Sequence, residues 1–427
     1  MQAKKEWQQM RTFLCEIWAR RPAVHQYCML ILSLFVVMCL GYLLLFCVYQ
    51  LPVEPLKEHM LSAYQKGYFE ENHPRRSKDM VTGKRYDMWT ECTGIGAALH
   101  DPIDIKDLFV IRYYGECTGL SHAAGEMFTV PPLYQYMRYT HGYLLALRPL
   151  YTFFEMQQVR IITMSIACIL LLFLFLALKN KVSAAHAAVI TLAFFLPCSP
   201  SMYIMTTHAI QFWLVLFAGI TATYLRSSKG IFVFMGIVGA LDAFITFLNM
   251  GSLSLSLPLL CYVLAAWARG EKTEKIIADF FWSSVAWSIG FLLPWLCKWG
   301  MLACIWQMEF EDIFSGKAAE YSPQSLDMIW VAIKNNVTTT HWEVWLPLFV
   351  LLLARRSKCR LRMPSGLWTI LFPALVPFVW ITLLPGQSGV KHSTFINLIL
   401  WPTLAALALY LLAPDKKATL RSLVAWR

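Results

Sequence analysis

The stretch YDMWTECTGIGAALH, residues 86–100, sets Asp87 and Glu91 four positions apart. On a helix, positions i and i+4 are neighbours, so the two carboxylates would share one face. That arrangement suits two chemistries. It leaves room for a divalent cation, Mg or Mn, or it lets one acid take a proton while the other orients it. The plain alternative is a solvated loop face with Lys84 and Arg85 as partners. A second group lies in RYTHGYLLALRPLY, residues 138–151. Read as a helix, it brings Arg138, His141 and Arg148 into one arc, with Leu144, Leu145 and Leu147 around them. Such a basic face suits a lipid phosphate, held by charge-assisted hydrogen bonds. Attraction to anionic headgroups, or interfacial anchoring beside the tyrosines, accounts for it equally well.

Two further charges sit inside apolar runs, Asp242 in GALDAFITFL and Lys298 in LLPWLCKWGMLACIW. A charge in a membrane span is a functional candidate by default. The alternatives are that Lys298 snorkels to the surface and that Asp242 is a structural partner for a buried base. Finally, LLPGQSGVKHSTF places Gln387, Lys391 and His392 just beyond another apolar run.

The elements that must carry these groups follow from composition. Of 427 residues, 58% are hydrophobic and only 15% are charged, too few to cover a soluble protein of this size. Apolar runs recur at about 27–49, 158–178, 184–199, 203–225, 231–249, 251–268, 280–304, 342–354, 366–384 and 395–413. Runs of this kind cross a bilayer as helices, because lipid offers the backbone no hydrogen-bond partners. The reading is an all-α polytopic membrane protein with about ten transmembrane helices and a large helical first extracytoplasmic loop.

The net charge of +11 does not mark a nucleic-acid binder. Lys and Arg cluster in alternate short loops: Lys179 and Lys181; Arg226 and Lys229; Arg269, Lys272 and Lys275; and the run from Arg355 to Arg362. That is positive-inside bias, and nucleic-acid motifs are absent. It places both termini in the cytoplasm, with 1–26 and 414–427 as cytoplasmic segments flanking a transmembrane module, 27–413. Its long extracytoplasmic loops are 51–157 and 307–341. The first span, 27–49, is too long for a typical signal-peptide core and no small-residue cleavage site follows it. In the first loop, Leu56, Met60, Leu61, Tyr64 and Tyr68 recur at helical spacing, as in a packing helix. Cys92 and Cys117 share that loop, and an oxidising compartment would permit a disulfide between them. Without a CxxC pair or HExxH, a zinc site is not expected. The sequon Asn336-Val337-Thr338 matters only in a glycosylating host.

The layout resembles the GT-C class of integral-membrane glycosyltransferases, and in particular a little-characterised bacterial subgroup. The stretches that carry the resemblance are WTECTGIGAAL, RYTHGYLLALRPLY, GALDAFITFL, WSIGFLLPWLCKW and PFVWITLLPGQSGVKH. The resemblance implies a polyprenyl-phosphate-linked sugar as donor and a glycan, lipid or protein hydroxyl as acceptor. The site would face out of a bacterial cytoplasmic membrane. Glu91, where the pattern has Asp, would be the general base in preference to Asp87. Arg138, His141, Arg148 and Lys298 would bind the donor phosphate, and Gln387, Lys391 and His392 substrate. The last stretch departs from the His-Ser-x-x-His of the pattern, since Gln387, Ser388 and Lys391 occupy those places. Two other classes fit less well. A secondary transporter or flippase predicts repeated halves, which are not evident. A membrane acyltransferase would use His141 or His392.

Overall fold

The computed structural model describes residues 2–66, 68, 88–100, 106–114, 133–135, 137–195, 201–246, 251–309, 312–313, 326–339, 367–384 and 401–412. Asp87, Cys117, Gln387, Lys391, His392 and the expected span 342–354 lie outside the described residues. The described chain is helical, with one short strand pair.

Five helices are long and apolar enough to cross a membrane: α2 (Val24–Tyr49), α7 (Met156–Lys181), α11 (Ser228–Ile245), α12 (Gly251–Ala268) and α13 (Thr273–Cys304). Expected spans 184–199, 203–225, 366–384 and 395–413 fall on α8 (Ala184–Phe195), α10 (Thr206–Tyr224), α15 (Leu371–Leu383) and α16 (Trp401–Leu412). The periodicity of α2 shows why it forms where it does. Leu30, Leu34, Gly41, Leu45 and Tyr49 make one buried stripe, while Leu32, Phe35, Leu43, Leu44 and Phe46 stand exposed. That exposure would be a liability in water; lipid tails are as apolar as the side chains facing them. By contrast α12 is buried on nearly every side and forms the centre of the bundle.

Around that centre, α10 packs on α7 and α12, and α11 packs on α13 and α2. The α11–α13 crossing depends on glycine. A Cβ at Gly290 would lie 1.9 Å from the Gly236 carbonyl oxygen, and one at Gly239 would lie 2.3 Å from the Trp287 carbonyl oxygen. Small residues let two backbones approach this closely in a membrane.

Between α2 and α7 lie α3 (Glu54–Gln65), α4 (Met88–Ala98), α5 (Asp107–Val110), β1 (Arg112–Tyr114), β2 (Leu133–Gln135) and α6 (Leu144–Phe153). As the spacing predicts, α3 buries Leu56 and Met60. The strand pair, antiparallel with Tyr113 opposite Tyr134, has no counterpart in the sequence reading, because three-residue strands show no usable alternation. The end of the bundle covered by α4 and α6 is called the loop end below.

Further differences appear elsewhere. The N-terminal segment holds α1 (Gln2–Ala19), whose Trp18 packs on Trp282 of α13 with ring centroids 5.6 Å apart. The remaining elements are α9 (Ser201–Ile204), α14 (Leu326–Thr339) and a 3-10 helix, Leu367–Ile370, just before α15. The sequon asparagine, Asn336, is fully buried in α14 and its amide donates to the Ala332 carbonyl. It does not present a glycosylation acceptor.

Candidate functional site at the loop end

Helix α4 carries Glu91 in its first turn, and the side chain is 2% exposed. Oε1 accepts from the Tyr151 hydroxyl at 2.8 Å and the Thr206 backbone N–H at 3.0 Å. Oε2 accepts from the Thr207 backbone N–H at 3.1 Å and the Thr207 hydroxyl at 3.0 Å. Thr206 and Thr207 open α10, whose own N-cap residue, Met205, has no side chain that can cap it. Glu91 therefore caps a helix 115 positions further along the chain. The negative carboxylate is favoured there by both the open N–H groups and the helix dipole. Four donors occupy the roughly four acceptor positions of a carboxylate. Burial pushes the Tyr151 phenol well above its ordinary range, and the Glu91 carboxylate adds to the rise, so Tyr151 keeps its proton and donates.

Arg148 solves the mirror-image problem. It is fully buried, and its two terminal nitrogens donate to the carbonyls of Ala98, His100, Tyr49 and Leu51 at 2.8–3.2 Å. These carbonyls belong to the C-terminal ends of α4 and α2, where orphan acceptors and the dipole favour a cation. The guanidinium also lies over the Tyr49 ring at 4.7 Å. Since α6 carries both Arg148 and Tyr151, this one helix grips α4 through its first-turn acid and its last carbonyls. Gly94 makes the fit close, because a Cβ there would sit 2.6 Å from Thr207 Cγ2.

The single basic helical face expected over residues 138–151 does not form. Helix α6 begins only at Leu144, and His141 adopts a left-handed φ of 62° ahead of Gly142. A turn at that point sends Arg138 and Arg148 to different neighbours. The segment before α6 is pinned to the bundle instead. Thr140 Oγ1 donates to the Ala243 and Phe244 carbonyls, and Gly142 N–H donates to the Phe244 carbonyl at 2.8 Å. His141 is buried with Nδ1 3.0 Å from the Tyr143 hydroxyl. Arg138 is buried with its guanidinium over the Tyr139 ring at 4.7 Å.

Lys298 does not snorkel. It is 1% exposed near the end of α13, and its ammonium donates to the Tyr139 carbonyl. Its neighbour Trp299 donates to the Arg138 carbonyl at 3.1 Å. The structure therefore brings Arg138, His141 and Lys298 to one place, the segment 138–143, while Arg148 serves the helix ends.

Asp242, three residues from the end of α11, is fully buried. Oδ1 accepts from Gln211 Nε2 at 3.0 Å and Oδ2 from the Ser254 hydroxyl at 2.7 Å. Ser254 in turn accepts the Trp287 indole N–H at 3.0 Å. Among the described residues no cation pairs with Asp242. It is not the counter-ion of a buried base.

Sequence reasoning missed Tyr151, Thr206 and Thr207 as partners of Glu91, and Gln211 and Ser254 as partners of Asp242. Their only signal is polarity within apolar runs. Cys92, beside Glu91, is disulfide-bonded, and eight other described cysteines are free. Cys117, the partner that the sequence suggests for it, lies outside the described residues. Among the described residues no group of three His, Cys, Asp or Glu side chains is placed to hold a metal ion. Comparison with known proteins finds no matching family model, no matching curated protein and no matching solved structure.

Proposed function

We propose that this chain is an integral-membrane glycosyltransferase of about ten spans, with the loop end facing out of a bacterial cytoplasmic membrane and both termini in the cytoplasm. It would move a sugar from a polyprenyl-phosphate donor to a hydroxyl of a glycan, lipid or protein. The observation that supports this most is the buried polar layer at the loop end of the bundle. That layer holds the acids Glu91 and Asp242 and the cations Arg138 and Lys298. Buried charges in a membrane protein are costly and mark function more often than packing.

In this reading Glu91 takes the proton of the acceptor hydroxyl as that oxygen attacks the anomeric carbon. The bond from the anomeric carbon to the phosphate oxygen breaks, and the lipid phosphate leaves with the bonding pair. One displacement inverts the anomeric centre. Arg138 and Lys298 stabilise the charge that grows on the phosphate, with His141 beside them. Glu91 has no vacant acceptor position, so one donor must give way. The Thr207 hydroxyl can do so by rotation while the two backbone N–H groups keep the carboxylate in place. A divalent cation would need the same vacated position on Glu91. Gln387, Lys391 and His392 are the substrate-binding candidates in this reading.

The test is mass spectrometry of lipids that co-purify with the wild type and with Glu91→Gln, alongside transfer of labelled sugar. A polyprenyl-phosphate sugar enriched on the variant, with transfer lost, is the expected result. Unchanged transfer by the variant would refute the base assignment. The two buried in-span charges, Asp242 and Lys298, each held by separate partners, favour one second reading, a secondary transporter or flippase. Counterflow of a labelled solute in proteoliposomes, with only ordinary phospholipids bound, would put that reading first.

A further inference from the structure

The hydrogen bonds around Asp242 contain an ambiguity that only a proton resolves. Ser254 Oγ lies 2.7 Å from Asp242 Oδ2 and 3.0 Å from the Gly251 carbonyl oxygen, and it accepts the Trp287 N–H at 3.0 Å. A hydroxyl has one proton to give and two lone pairs. With Asp242 ionised, the Ser254 proton points at Oδ2, and the Gly251 carbonyl keeps only its bond within α12. With Asp242 protonated, Oδ2–H donates to Ser254, whose own proton swings to the Gly251 carbonyl. Ser254 then gives one hydrogen bond and accepts two, filling its capacity. Both states use the same heavy-atom positions, and Gln211 holds Oδ1 in each.

The neighbours supply no charge to settle the matter in favour of the anion. On α10 the nearest titratable residue is His208, about one turn before Gln211 and buried. On α13 the ammonium of Lys298 is committed to the Tyr139 carbonyl, and on α2 Tyr42 packs edge-on against Phe244. Cys261 and Tyr262 lie deeper along α12, with Tyr262 donating to Asp279. In the segment that covers α11, His141 meets Tyr143 and Arg138 lies over Tyr139. None of these bonds Asp242. A carboxylate buried with neutral donors alone bears the full cost of desolvation, which binding a proton removes.

We propose that Asp242, with Ser254, Gln211 and Trp287, is a proton-binding site inside the bundle, in which reversal of the Ser254 hydroxyl lets the acid load and unload a proton without rearrangement of the helices. The proton comes from water and is returned to it, and no other bond is made or broken. The proposal stands whether the protein transfers sugars or carries solutes, because a buried acid next to the loop-end layer can serve as a proton acceptor in either.

Infrared difference spectroscopy of the full-length protein in detergent, titrated between about pH 5 and about pH 9, tests it in the range where ordinary Asp side chains are ionised. A protonated-carboxyl stretch is expected in the wild type and is lost in Asp242→Asn. Ser254→Ala keeps the band but shifts it, because the acid loses its acceptor; this variant decides the question if Asp242→Asn does not fold. Absence of the band in the wild type, its survival in Asp242→Asn, or an unmoved band in Ser254→Ala would each overturn the proposal. No donor or acceptor sugar enters the experiment, so a failure of the transferase reading leaves its outcome untouched.

Discussion

Glu91 at the loop end and Glu271 at the opposite end are both held by neighbours, but by different chemistry. Glu271 sits in the turn between α12 and α13, where Arg269 donates to Oε1 at 2.7 Å and Lys275 donates to Oε2. These side chains keep some contact with solvent, at 24%, 16% and 26% exposure for Arg269, Glu271 and Lys275. Opposite charges meet there, and water screens what remains. Glu91 meets no cation among its four donors; backbone N–H groups and hydroxyls hold it. Where water reaches, a charge is matched by another charge. Around Glu91, where it does not, a helix terminus and neutral donors replace hydration, and every bond counts because the alternative is an orphaned group.

Substitutions can break this contrast, and the largest effect belongs to Arg148. Arg148→Met leaves four carbonyls at two helix ends without their donor, and should cost about 3 kcal/mol or more. Thermal unfolding of the purified protein measures this, and a loss under about 1 kcal/mol would mean that the helix ends are not what the residue serves. Glu91→Gln comes next, at about 2–3 kcal/mol, because the amide group turns a donor toward N–H groups that need acceptors. In the proposed mechanism it also abolishes transfer. Normal stability together with lost transfer would separate the base from the anchor.

Tyr151→Phe removes one of the four donors and should cost about 1–2 kcal/mol. The pH dependence sharpens the point. Burial holds the Tyr151 phenol well above its ordinary range in the folded protein, so its contribution is full below about pH 10, the usual phenol value, and is lost as pH rises beyond it. Unfolding midpoints measured upward from pH 9 should fall more steeply for the wild type than for Tyr151→Phe.

The smallest effect is expected at the opposite end, where Lys275→Met should cost about 0.5 kcal/mol and less still in high salt. Burial raises the Glu271 carboxyl, but Lys275 and Arg269 outweigh it and hold it below the ordinary glutamate value. Its contribution is therefore present above that value and lost as pH falls through the depressed one. A cost at Lys275 equal to that at Glu91 would erase the distinction between the two ends.

Much of the architecture is legible in the chain, because its signals are local. The buried stripe of α2 and the pair Leu56 and Met60 in α3 are periodicities within one helix, and hydropathy alone marks the five long apolar helices. The site is legible only as a set of residue types. Arg138, His141 and Arg148 look like one helical face until the left-handed His141 divides them. Lys298 looks able to snorkel until Tyr139, 159 positions earlier, receives its ammonium.

The sequence by itself determined that this protein is made of membrane-crossing helices, and that a few charged side chains stand out against an apolar background. Both follow from the cost of placing backbone polar groups and charges in hydrocarbon, a cost that depends on each segment alone. Only the tertiary structure decided what those charges do. Glu91 caps α10, Arg148 closes the ends of α2 and α4, and Asp242 meets Gln211 of α10 and Ser254 of α12, which in turn accepts from Trp287 of α13. A buried charge is defined by its partners, and these partners come from segments far apart in the chain, where no local pattern records them.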